Sequence, residues 1–169
     1  MVDLSQRQER ATESLLEDEA LTAGLDDTAA NELINWGIDC VGWVFQQVDG
    51  LNGTEIEKTL SERMYAIRRL MRFISRWSVK RTGMDSTALA DWTSQVYQAL
   101  GEIYSGKINL PIQERFFEFI NQQINSNPKD MIINLRSMVE KAGESPAFSG
   151  EKNKNLLDLI YGFFGGDNG

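Results

Sequence analysis

Histidine is absent from this 169-residue sequence, and cysteine occurs once, as Cys40. Without imidazole there is no Ser-His or Cys-His nucleophilic pair, no histidine acid or base, and no His-ligated haem, zinc or di-iron centre. A lone thiol excludes an internal disulfide and a multi-thiolate metal site. Carboxylates, lysine or tyrosine could still carry a reaction, but the commonest catalytic side chain is missing, which argues against an enzyme. Long apolar runs are also lacking. The two longest, 40–45 and 159–166, fall far short of the ~18 residues that a membrane-spanning helix needs. The first ten residues mix acidic and basic groups with no apolar signal region, so the expected setting is cytoplasmic, without membrane insertion. Asn52-Gly53-Thr54 fits a glycosylation sequon, which carries no weight without secretion.

What is present is ordinary for a globular chain: 41% apolar and 25% charged residues, in a length suited to one domain with a proper core. Apolar residues recur at helical spacing, and no strand-like alternation persists. A sparse first helix is expected over 5–21, with Ala11, Leu15, Leu16 and Leu21 inward and Ser5 as its cap. The second, 28–48, opens at Asp26 or Asp27 and is apolar around its axis, so it is the central helix. Gly37 and Gly42 lie within it. Each costs ~1 kcal/mol against alanine, a cost that close approach of a neighbouring backbone or tryptophan would explain. Cys40 reads there as a small core residue. A long third helix covers 54–81 and a fourth runs from Asp85 or Ser86 to Tyr104. A fifth starts with Pro111 at its first position, and a sixth follows Ser126-Asn127-Pro128 and ends at Gly143. The fold class is all-α, an irregular bundle of six to seven helices with no sheet.

The third helix carries the sequence's strongest asymmetry. Residues 63–81 hold seven basic side chains and no acidic one, so a chain of net charge −8 carries −15 everywhere else. At ~100° per residue, with Arg68 as origin, Arg72, Arg76, Arg69 and Lys80 fall between roughly 40° and 120°. Met64, Ile67, Leu70, Met71, Ile74 and Trp77 occupy the opposite side. Arg63 and Arg81 lie in the apolar sector near its ends, where long stems reach solvent. Three uses fit the stripe Arg68, Arg69, Arg72, Arg76 and Lys80. Acidic groups of the chain itself could match it, at ~0–1 kcal/mol per exposed pair. An acidic partner or a second copy could dock on it. Nucleic acid or a phosphorylated ligand could bind it, with a log–log salt slope of about −4.5 for five phosphate contacts. The remaining −15 opposes a long polyanion.

Other constellations are weaker. No Glu-x-x-Glu pair is present to hold magnesium on facing helices. Asp26-Asp27-Thr28-Ala29-Ala30 starts like an aspartate-rich diphosphate motif but ends in alanine, and helix capping explains its aspartates. Neither a phosphate loop nor a calcium loop occurs. The fifth and sixth helices suggest a helix-turn-helix, yet the second of them balances Lys129, Arg136 and Lys141 with Asp130 and Glu140, unlike a groove-reading helix. Phe117 sits off the main apolar stripe of the fifth helix. No metal or cofactor is expected.

The composition turns to Gly, Ser, Pro, Glu, Lys and Asn over 143–155, a polar linker between a bundle domain at 1–142 and a short apolar helix with a frayed tail at 156–169. Leu156, Leu157, Ile160, Phe163 and Phe164 belong to an apolar arc of about 200°. That segment either folds back on its own bundle or serves as a helix-in-groove element for a partner or second subunit. The functional expectation is a non-catalytic interaction, adaptor or regulatory protein that docks through the basic face of 63–81. Binding of nucleic acid or a phosphorylated ligand at that face is the alternative, and a carboxylate-based hydrolase is the third.

Overall fold

A computed structural model describes residues 4–80 and 83–143. Among them are six α-helices, one 3-10 turn and no strand: α1 (Leu4–Glu17), the turn (Glu19–Thr22), α2 (Asp27–Val48), α3 (Gly53–Lys80), α4 (Ser86–Tyr104), α5 (Gln113–Gln122) and α6 (Pro128–Gly143). Of the expected linker only Gly143 is described, as the last residue of α6; the rest of it and the apolar segment at 156–164 lie outside the described residues.

Helix starts are set by side-chain caps that satisfy first-turn N–H groups. Asp26 accepts from Ala29 N at 2.9 Å, Asn52 from Glu55 N at 2.9 Å, Asp85 from Ala88 N at 2.8 Å and Asn127 from Asp130 N at 2.8 Å. The Ala29 hydrogen bond, followed by that from Thr28, holds the Asp26 carboxyl below its ordinary range. Two helix boundaries differ from expectation. Helix α1 stops at Glu17, because Asp18 turns the chain by accepting from Ala20 N at 3.1 Å. Helix α5 begins at Gln113 rather than Pro111, with Ile112 at the cap position and no side-chain cap bond. The Pro111 carbonyl instead accepts a 2.7 Å hydrogen bond from Tyr97 Oη, which fixes the connection to α4.

Helix α2 is the hub, packed against α1, α3, α4 and α6. Its Leu33, Trp36, Cys40, Val41, Val44, Phe45 and Val48 are all buried. Gly37 is explained by a close side chain rather than a neighbouring backbone or tryptophan, since a Cβ there would lie 2.7 Å from Met71 Sδ. At Gly42 the nearest atom to such a Cβ is Gln8 Nε2 at 3.8 Å, an ordinary contact, so no close approach accounts for this glycine. Leu15 and Leu21 enter the core as expected, whereas Leu16 points outward at 53% exposure. Tyr104 ties α4 to α2. Its hydroxyl accepts from Trp36 Nε1 at 3.4 Å and lies 3.5 Å from Cys40 Sγ. Burial pushes the Cys40 thiol from 9.0 up to about 12, and burial raises the Tyr104 hydroxyl as well. Cys40 is a core residue, not an accessible nucleophile.

Candidate interaction face

Helix α3 places its residues as the wheel requires. Ile67, Leu70, Met71, Ile74 and Trp77 are buried, Arg68, Arg69 and Arg72 are half-buried, and Arg76 and Lys80 are exposed. Glu55 in the first turn and Lys80 in the last complement the helix dipole. Part of the helix's charge asymmetry therefore serves the helix itself.

The stripe divides into an engaged half and an open half. Arg68 Nη1 donates to Asp18 Oδ2 at 2.9 Å, and its Nη2 donates to Ser14 Oγ. Asp18 thus caps the 3-10 turn and anchors it to α3. Beside this contact, Ser75 Oγ donates to the Ala23 carbonyl. On the other flank Arg69 Nη2 donates to Glu102 Oε2 of α4 at 2.6 Å, and its guanidinium lies 5.7 Å from the Tyr65 ring centroid. Arg63 reaches out of the apolar sector to Ser105 Oγ at 2.7 Å. Ser105 holds the left-handed conformation that closes α4, φ 56°. Arg72, Arg76 and Lys80 have no carboxylate within salt-bridge distance among the described residues.

The contrast is sharper against the other helix junctions. Arg7 of α1 pairs with Glu57 of α3, and Arg136 of α6 pairs with Asp39 of α2 and Glu140 on its own helix. Arginine–carboxylate clasps thus recur where helices meet, each on the exposed-pair scale of ~0–1 kcal/mol. Arg72, Arg76 and Lys80, toward the C-terminal end of α3, depart from that pattern among the described residues. Sequence alone could not divide the stripe, because Asp18 and Glu102 are remote along the chain from Arg68 and Arg69. The hydrophobic candidates Leu156, Leu157, Ile160, Phe163 and Phe164 fall outside the described residues.

A second feature was not read from the sequence: a groove of about 450 Å³ between α4 and α5. Ala90 and Tyr97 line it from α4, and Phe116 and Phe117 from α5, with Glu114 and Glu118 beside them. The off-stripe position of Phe117 was its one sequence signal. Glu114 and Glu118 are both exposed on one helix. No group of three or more acidic or thiol side chains among the described residues is placed to hold a metal ion. Nor is any helix among them long and apolar enough to cross a membrane.

The arrangement is that of an all-helical bundle whose longest helix carries, toward its C-terminal end, three cations without a carboxylate partner among the described residues. No protein-family model, curated protein or solved structure matches the chain.

Proposed function

We propose that this is a non-catalytic helical interaction protein, an adaptor or regulator, whose α3 docks an acidic protein surface through Arg72, Arg76 and Lys80. One observation carries the reading: Arg68 and Arg69 are held by carboxylates of the same chain, while the next three cations of the stripe lack one among the described residues. Arg76 and Lys80 are exposed and Arg72 is half-buried, so an incoming carboxylate meets guanidinium and ammonium groups that no ion pair among the described residues holds. Such a face favours fast encounter and correct orientation more than tight binding. The −15 carried outside 63–81 turns away long polyanions and leaves a second copy as one source of acidic surface. A cytoplasmic setting, in which the Cys40 thiol stays reduced, suits this role.

Titration of the full chain with a polyglutamate peptide at low salt tests the reading. Binding is expected, with loss on raising salt and in the double variant Arg72→Glu/Arg76→Glu, whose thermal midpoint stays near the parent's. Equal binding by the double variant would show the face to be ordinary surface. A parallel titration with duplex DNA addresses the nucleic-acid alternative. Three phosphate contacts give a log–log salt slope of about −2.7, and DNA binding tighter than polyglutamate binding would replace the acidic partner with a phosphate-bearing one.

A further inference from the structure

The α4–α5 groove lies on a different part of the surface from the basic face and stands or falls separately. Its floor is apolar, through Ala90, Tyr97, Phe116 and Phe117. Beside it Ile112, at the start of α5, is 62% exposed, more than any other large apolar side chain among the described residues. The path of the chain indicates what covers this surface. Helix α6 ends against the α4–α5 connection: Asn109 N donates to the Ala142 carbonyl at 3.4 Å, and a Cβ on Gly143 would lie 3.4 Å from Ile108 Cγ2. Ile108 is four residues from Ile112. The sequence beyond Gly143 therefore leaves α6 at the connection that joins the two helices of the groove.

Twelve residues, 144–155, separate that point from Leu156. Fully extended they reach ~40 Å, a tether short enough to keep the segment at high effective concentration around that connection. The segment fits in length, since a nine-residue helix over 156–164 is ~13.5 Å long and the stretch of α4 from Ala90 to Tyr97 spans ~10.5 Å. Its pattern also fits. Leu156, Ile160, Phe163 and Phe164 fall on one face of such a helix, while Asp158 and Gly162 fall opposite. Of the four charged residues in this tether, Lys152 and Lys154 lie nearer the segment than Glu144 and Glu151, and Glu114 and Glu118 edge the groove.

We infer that residues 156–164 dock as a short helix in the α4–α5 groove of their own chain, apolar face down, with Lys152 and Lys154 toward Glu114 and Glu118. The apolar candidates read from the sequence then serve an intramolecular contact instead of a partner.

A spin label on Gln98→Cys, an exposed α4 position beside Tyr97, tests this in the full chain, because the buried Cys40 does not compete for the reagent. In the isotope-labelled protein, amide signals of 156–164 are expected to lose most of their intensity. Ile160→Asp in the segment and, separately, Ala90→Lys in the groove should each restore them while leaving the signals of α1–α6 in place. Full intensity in the parent overturns the inference and leaves the groove to another occupant. Intensity loss that persists in both variants overturns it too. So does loss seen when an isotope-labelled, spin-free chain is mixed with a spin-labelled one, because a second copy would then be supplying the segment.

Discussion

Two glycines on one helix separate backbone propensity from packing. Alanine at position 42 gains ~1 kcal/mol of helix propensity, and its methyl meets only Gln8 Nε2 at 3.8 Å. Gly42→Ala should therefore raise the melting temperature by about 2–4 °C. Gly37→Ala has the same propensity gain, but its methyl would lie 2.7 Å from the buried Met71 sulfur, and overpacking a core costs ~1–3 kcal/mol. Its melting temperature should stay level or fall. Matching gains for the two variants, measured by thermal unfolding, would show that Met71 moves aside freely. Cys40 provides a pH prediction at the same scale. Its folded value of about 12 lies above the ordinary 9.0, so the unfolded chain releases this proton first. Stability is unaffected below pH 9 and declines above it, by at most ~1.4 kcal/mol per unit from this group. Tyr104, raised above its ordinary 10.0, adds to the decline above pH 10. Urea midpoints at pH 8, 9.5 and 10.5 should fall in that order, less steeply in Cys40→Ala.

At the scale of the element, α3 shows how much a helical wheel can and cannot say. Its buried and polar faces were legible because periodicity records which side chains leave water. The division of its cations was not, since partners such as Asp18 and Glu102 are brought near by tertiary packing. That division predicts a split in stability. Arg68→Ala removes the tie between α3 and the 3-10 turn and should cost about 1 kcal/mol in urea unfolding. Arg76→Ala breaks no ion pair among the described residues and should lie within ~0.5 kcal/mol of the parent. Equal losses in the two would mean that the open half of the stripe is also structural. The start of α5 was misplaced for a related reason: proline at a first helical position is a local preference, and here the Tyr97–Pro111 hydrogen bond sets the connection. By contrast, the α2, α4 and α6 starts were readable because Asp26, Asp85 and Asn127 each cap an N–H three residues away.

Across the whole molecule, the all-helical class followed from apolar spacing and the lack of alternation. The α4–α5 groove did not, because a concavity arises from how two helices diverge, and neither helix encodes that by itself. The charge excess outside α3 also belongs to this scale: by mass action and screening, any docking at the cationic end should weaken steadily with salt. The unequal embedding of the helices has a dynamic consequence. Helix α2 is enclosed by α1, α3, α4 and α6, while α5 is short, has no side-chain cap and rests chiefly on α4. Deuterium should therefore enter the α5 amides through brief partial openings, long before it reaches the middle of α2, whose protons wait for the entire molecule to come apart. If the two helices exchanged at one common rate, the ten residues of α5 would belong to the same cooperative unit as the hub.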